Sequence, residues 1–498
     1  MSYMSTRGSE PITASKAILT GLAKDGGLFV PMDFPSFTLE QLSNLTNSSY
    51  QDLATEIFSL YLNDYSKEEI SLAVAKAYDS KHFDTVDITP MHKLTNDMHV
   101  LELFHGPTLA FKDIALSILP YLSVMAAKKN NEKRSVGILV ATSGDTGKAA
   151  LEGFKDVEGT SCTVFYPYGG VSTIQERQMN TTTGNNTHVI GLKGNFDQAQ
   201  TGVKTLFESE EFHSKLNDLN ILPSSANSIN FGRLMPQIVY YFYSYFSLIK
   251  SKQIKMGDKI NFVVPTGNFG NILAGYYAKK MGLPIKKLIC ASNQNNVLSD
   301  FFKDGLYNTE RQFYQTMSPS MDILISSNLE RLLFEISGRD TSLISSWMKS
   351  LKEEGTFNIG KDNLDIISKD FWAASCDDKT TGKQIKQTYC ETGYVLDPHT
   401  AVGANVLEQY RNNEKDQTVA VLLSTASPYK FPEDVVNSII DNFDDTKKES
   451  MDFVRKLSEI SKTSIPLSVE QLFNMPILHT TVCEKEEMEN TVLKLLSK

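Results

Sequence analysis

Lys112 stands in an unusual setting, within HGPTLAFKD at 105–113: it follows Ala110 and Phe111 and heads the apolar run 114–127. A long cationic side chain on an apolar element commonly snorkels, its stem buried and its ammonium in water. The other reading is a partly desolvated amine of lowered pKa, because burial disfavours ammonium, and a neutral amine forms Schiff bases or moves protons. A second candidate is TGNFGN at 266–271, between the strand-like KINFVVP and a helical pattern. Gly267 and Gly270 permit close backbone approach and positive φ. A helix starting there aims unpaired N–H groups at an anion, a phosphate above all. The plainer reading is a pair of glycines that only tighten a strand-to-helix turn. SGDTG at 143–147 offers hydroxyls and N–H groups at another helix start. That suits a carboxylate, or else it is an N-cap cluster. Arg233 follows SANSIN at 225–230. Its guanidinium fits a phosphate bidentately, although a lone arginine more often sits at the surface or in an ion pair.

Other chemistries lack their signatures. Neither glycine loop has the G-x4-G-K-[ST] spacing of a nucleoside-triphosphate loop, and neither is G-x-G-x-x-G. The eight histidines are scattered, with no His-Glu-x-x-His, so a zinc hydrolase has little support. No metal site is expected. His399, in LDPHTAVG, reads as a residue that stabilises a turn and helix start. No G-x-S-x-G elbow is present, which argues against a hydrolase triad.

The elements that must position these residues follow from periodicity. The first 80 or so residues read as helical, with capping boxes at Thr38/Gln41 and Ser66/Glu69. Leu53, Ile57, Leu60 and Tyr61 share one face, and Ile70, Val74, Ala77 and Tyr78 share another. Beyond residue 96, β-branched runs at 135–142, 163–167, 188–192, 259–265, 286–292 and 418–424 each precede a loop and a helical pattern. That alternation predicts parallel sheets covered by helices, with ligands at the carboxyl ends of the strands. After Pro432 an amphipathic helix carries Val436, Ile439, Ile440 and Phe443. The segment 306–395 yields no topology. Three divisions are expected: 1–95 as a helical accessory domain, 96–205 as a first α/β domain with Lys112 and SGDTG, and 206–498 as a second, larger one.

Composition bounds the partners. With 49 Lys+Arg against 59 Asp+Glu the net charge is −10, so nothing draws the chain to nucleic acid or to an anionic membrane surface. The apolar runs around 114–127 and 238–249 fall short of the roughly 20 residues of a membrane span and read as buried helices. Five cysteines without a Cys-x-x-Cys pair, and a start without an apolar signal region, fit reduced thiols in the cytoplasm. Whether the chain is a monomer or a homo-oligomer is not legible.

Taken in order, several segments resemble the threonine synthase family, in its longer bacterial and fungal branch. They are YMSTRG at 3–8, LAKDGGLFVP at 22–31, ELFHGPTLAFKD at 102–113, ATSGDTGKAA at 141–150 and YPYGGVSTIQERQM at 166–179. GNFDQAQ at 194–200, SANSINFGRLMPQ at 225–237, VPTGNFGN at 264–271, MSPSMDILISSNLERLL at 317–333, LDPHTAVG at 396–403 and LSTASPYKF at 423–431 continue the series. The resemblance implies an α/β protein of pyridoxal-phosphate fold type II, with two open, mostly parallel sheets flanked by helices and a helical N-terminal domain. It implies pyridoxal 5'-phosphate held as a Schiff base on Lys112, its phosphate cradled by Gly267, Asn268, Phe269, Gly270 and Asn271, and its pyridine nitrogen bonded by Thr425. Ser143, Gly144, Asp145 and Thr146 would hold the substrate carboxylate. Arg233, with Ser228 and Asn230, is our expectation for the substrate phosphate. The implied reaction converts O-phospho-L-homoserine and water to L-threonine and phosphate, the last step of threonine biosynthesis. The alternatives are a related phospholyase that releases a 2-oxo acid, and a catalytically silent paralogue.

Overall fold

The computed structural model describes residues 1–142, 144–441 and 449–497, apart from the side chain of Asp197. Two sheets organise it. The larger has six strands in the order Phe371–Ser375, Ile285–Ser292, Ile260–Pro265, Ala420–Ser424, Met98–Glu102 and Met91–Lys93. All its pairings are parallel except the last, which is an antiparallel hairpin. The smaller is wholly parallel: Thr481–Cys483, Thr187–Leu192, Thr160–Pro167, Ser135–Ala141 and Ile221–Ser224. Their strands read as continuous apolar runs because helices cover both faces.

The sheets do not follow the divisions at 95/96 and 205/206. Met98–Glu102 pairs within the larger sheet and Ile221–Ser224 within the smaller. Thr481–Cys483 brings the end of the chain back to the smaller sheet. Strand pairing joins segments hundreds of residues apart, so a linear division could not anticipate it.

The N-terminal region forms the helices Ala14–Thr20, Leu39–Leu45, Tyr50–Tyr61 and Lys67–Ala77, with both expected capping boxes. A hairpin of Tyr3–Ser5 and Phe29–Pro31 accompanies them. Leu60 departs from its expected face and is exposed; the buried stripe is Leu53, Ile57 and Tyr61, spaced at i, i+4, i+8. This region seats on the helix Pro236–Lys250, whose apolar residues are almost all buried. The Tyr50 ring meets those of Tyr78 and Tyr243 edge-on. The other apolar run splits into Lys112–Leu116 and Leu119–Lys129, with Pro120 in the first turn of the second, where its missing N–H costs nothing. The helix Pro432–Ile439 forms as expected, with Ile440 as its C-cap; Phe443 lies outside the described residues.

The unassigned segment 306–395 contains a small hairpin of Leu306–Asn308 and Thr356–Asn358, and the edge strand of the larger sheet. It also contains the single turn Pro319–Met321, which reaches the site described next.

Candidate active site

Lys112 opens its helix, and its side chain is 13% exposed. Nζ donates to Ser320 Oγ at 3.2 Å and to Asp145 Oδ2 at 3.4 Å. Burial lowers its pKa, and the charges of Lys430 and Arg233 lower it further against the pull of Asp145. The amine is therefore desolvated rather than snorkelled. It is delivered by a loop fixed from below: Asp113 accepts from Thr108 N at 2.8 Å and from Thr108 Oγ1 at 2.6 Å. Phe111 N donates to Thr425 O at 2.9 Å, which ties this loop to the carboxyl end of Ala420–Ser424.

Asp145 lies in the first turn of Asp145–Phe154. Burial would raise its pKa, but Lys430, Lys112 and His399 together hold it well below the usual carboxylate range. Lys430 Nζ is 3.0 Å from Oδ1, Gln175 Nε2 donates to the same oxygen at 3.1 Å, and Ser320 Oγ donates to Oδ2 at 2.8 Å. A carboxylate so engaged cannot also receive a substrate carboxylate, so its part is to orient Lys112 and Ser320. Thr146 is half-buried in the same turn. Gly144 has φ 131°, and a Cβ there would come within 2.5 Å of the Gln175 side chain; only glycine fits. Ser143 lies outside the described residues.

Loop 266–271 follows the strand Ile260–Pro265 and opens the helix Gly270–Lys280. Its positive φ falls on Phe269, at 61°, and not on either glycine. Gly267 is needed for closeness: a Cβ there would sit 2.6 Å from Ser320 O. Asn268 O accepts from Asn328 N at 3.1 Å and from Asn328 Nδ2 at 3.0 Å. Asn271 Oδ1 accepts from Tyr240 and Tyr241, while its Nδ2 is buried without a partner.

Arg233 is 4% exposed and forms no ion pair among the described residues. Nη1 donates to Ala226 O at 2.8 Å, and Nε is buried without a partner. Burial pushes its pKa down to about 10. A buried, unpaired guanidinium is costly unless an anion answers it. Ser228 is half-buried in the same loop, its Oγ on Asn227 at 3.2 Å. Asn230 faces elsewhere: Oδ1 caps the short helix Phe231–Leu234 through Gly232 N, and Nδ2 donates to Ile18 O at 2.9 Å. It braces the loop against the N-terminal region.

Lys430, Ser320 and Gln175 escaped the reading of single motifs. Each lies in a segment quoted for the resemblance, yet nothing local distinguishes it. His399 does stabilise a helix start, its Nδ1 2.9 Å from Asp397 Oδ1, and its Nε2 also accepts from Ser320 N at 3.2 Å.

The donor set fits pyridoxal phosphate. It offers a buried amine of lowered basicity for the aldehyde, and a glycine-bearing helix N-terminus with the buried, unpartnered Asn271 Nδ2 for the phosphate. Thr425 stands at the end of the neighbouring strand. Among the described residues no three metal-ligating side chains gather, and no helix is long and apolar enough to cross a membrane.

Comparison with known proteins agrees with this geometry. Residues 2–78 match the family model described as "Threonine synthase N terminus", 84–425 that of "Pyridoxal-phosphate dependent enzyme", and 400–489 that of "Threonine synthase, C-terminal". The chain is 40% identical over 492 residues to the threonine synthase of Saccharomyces cerevisiae, covering 92% of this chain and 94% of that one. It is 38% identical over 437 residues to the Pseudomonas aeruginosa threonine synthase, covering 87% and 90%. The crystal structure of pyridoxal-phosphate-bound threonine synthase from Brucella melitensis superposes with a TM-score of 0.88 at 36% identity, over all of both chains. With one family spanning both ends of the chain and the cofactor's fold lying between them, this protein belongs to the threonine synthase family of pyridoxal-phosphate-dependent enzymes.

Proposed function

We propose that this enzyme converts O-phospho-L-homoserine and water to L-threonine and phosphate. The observation that carries the substrate assignment is Arg233, a buried guanidinium with no carboxylate partner among the described residues, whose charge is felt by Lys112. With the cofactor's phosphate assigned to loop 266–271, which carries no charged side chain, Arg233 is a cation left for a second phosphate. Lys112 would hold the cofactor at its aldehyde carbon, loop 267–271 its phosphate and Thr425 its ring nitrogen. When bound, the cofactor supplies an electron sink for negative charge developing beside the amino group.

The chain's own groups do the rest. Backbone N–H groups at the start of Asp145–Phe154 orient the substrate carboxylate, with Thr146. Lys112 Nζ, freed from the aldehyde carbon when the substrate's amino group replaces it there and kept less basic by burial, would take the proton from Cα, pass it on, and then take one from Cβ. Arg233 and Ser228 hold the γ-phosphate as the Cγ–O bond breaks, the electron pair leaving with the phosphate. A proton returns to Cγ to make the methyl group, water adds at Cβ and gives up a proton, and a proton returned to Cα completes L-threonine, with the remaining proton leaving on the phosphate. Asp145 stays ionised throughout and keeps Lys112 and Ser320 in place. The five cysteines, all free thiols, support a cytoplasmic location as part of this reading. Product analysis tests the reaction: equal amounts of threonine and phosphate support it, and a 2-oxo acid with ammonia contradicts it.

A further inference from the structure

Three segments distant in sequence meet at the start of the helix Leu329–Ile336. Asn328 commits its whole side chain there. Nδ2 donates to Asn268 O at 3.0 Å and to Ser228 O at 3.2 Å, and Oδ1 accepts from Arg331 Nη1. Arg331 is fully buried and forms no ion pair among the described residues. Its Nη2 donates to Ile229 O at 2.6 Å and its Nε to Phe29 O at 2.9 Å. Glu330, between them, accepts from Arg7 Nε at 3.0 Å, from Arg7 Nη2 at 2.8 Å and from Thr6 Oγ1 at 2.5 Å. One turn earlier, Ser326 Oγ donates to Gly267 O at 2.8 Å.

These contacts join the loop assigned to the cofactor phosphate, 266–271, to the loop 226–233 that carries Ser228 and Arg233. They anchor both to the N-terminal hairpin. A buried arginine spent entirely on carbonyls and one amide gains little stability over an apolar replacement, but its planar fork fixes the directions of what it binds. We propose that Asn328 and Arg331 set the register between the two anion-binding loops, and that the N-terminal segment, through Arg7 and Glu330, belongs to this device. Both are positioning residues, since every polar atom of their side chains is taken by protein. The need for register follows from the chemistry: two phosphates must sit close enough to share one reaction site and far enough apart not to expel each other. Misplacement by about 1 Å can cost roughly 10²-fold in rate.

This inference rests on the assignment of the two phosphate sites made above. Asn328→Ala removes both donors to the loops. Arg7→Gln loosens the N-terminal anchor from a partly exposed position and keeps the test available should the first variant fail to fold. Pyridoxal phosphate titrated into cofactor-free protein reports the first loop, and inhibition of the holoenzyme by inorganic phosphate reports the second. Asn328→Ala is expected to weaken both, each by about tenfold, and to raise KM more than it lowers kcat. Arg7→Gln is expected to move both constants the same way by about threefold. A lowered thermal midpoint with both constants unchanged makes the junction merely structural and overturns the proposal, as does a change in only one of them. Wild-type protein that binds both anions yet forms no threonine contradicts the proposed reaction, while the binding constants still decide the junction's role.

Discussion

Lys112 has its ammonium destabilised by burial and by two neighbouring cations, against the pull of Asp145, so it gives up its proton more readily than an exposed lysine. Lys112→Ala is expected to abolish the visible absorbance that develops when pyridoxal phosphate is added, and to lower turnover by about 10³-fold or more. A spectrophotometric titration and a phosphate-release assay check the two. Arg233→Met keeps most of the volume and removes the charge. The cofactor should still bind, while kcat/KM falls by a transition-state cost of about 2–5 kcal/mol and inhibition by free phosphate weakens in parallel. Loss of the cofactor with phosphate inhibition untouched would place Arg233 in the cofactor site instead. Lys112 and Arg233 are each a cation at the edge of an apolar helix pattern, which left a surface reading open; the structure buries Arg233 and leaves the Lys112 side chain 13% exposed. Lys430 and Ser320 were not legible in the sequence. What makes them functional is Asp145, 285 and 175 residues away, and no local pattern encodes a contact of that range.

At the scale of elements, the two glycines of loop 266–271 separate turn geometry from ligand approach. A Cβ on Gly267 would strike Ser320 O, whereas one on Gly270 would lie 3.5 Å from Asn328 Nδ2, an ordinary contact. Gly270→Val is therefore expected to weaken pyridoxal phosphate binding by about tenfold through its branched methyls at the helix N-terminus, with little change in thermal midpoint. Gly267→Ala should lower the midpoint as well, because backbone must move. Equal cofactor affinity in wild type and Gly270→Val would make the loop a plain turn. The loop that delivers Lys112 carries its own titrating group. Burial alone would lower the pKa of His105, but Asp84 and Glu102, 2.6 and 2.8 Å from its ring nitrogens, push it up to about 9. A raised folded-state pKa stabilises the fold fully below the unfolded value near 6.5, and that contribution fades as pH rises through about 9. The stability difference between wild type and His105→Gln should be about 1–2 kcal/mol at pH 6, after allowance for solvent screening at the exposed Asp84, and should shrink toward zero by about pH 10. Denaturant titrations across that range measure it. Strand–loop–helix alternation made the sheets and the carboxyl-end loops legible from periodicity. The turn Pro319–Met321 carries no period and went unread, although it supplies Ser320.

Over the whole molecule, the chain crosses between its sheets more than once. Met98–Glu102 enters the larger sheet before the smaller begins, and Thr481–Cys483 returns to the smaller after the larger is complete. Arg177 fastens the returning segment by donating to Leu472 O at 2.9 Å and to Phe473 O at 2.8 Å. On the same helix, Gln175 touches Asp145, so the end of the chain abuts the element that holds the site. Strand–helix alternation predicted parallel sheets covered by helices and the family resemblance implied two of them, but sheet order depends on pairings that only the assembled chain reveals. Such an assembly is expected to replace a γ-phosphate by a β-hydroxyl drawn from water. The most direct measurement incubates holoenzyme with O-phospho-L-homoserine in ¹⁸O-water and follows both products by mass spectrometry. One threonine per phosphate is expected, with ¹⁸O in the threonine hydroxyl and none in the phosphate at early times. A 2-oxo acid with ammonia, or homoserine with ¹⁸O in the phosphate, would contradict it.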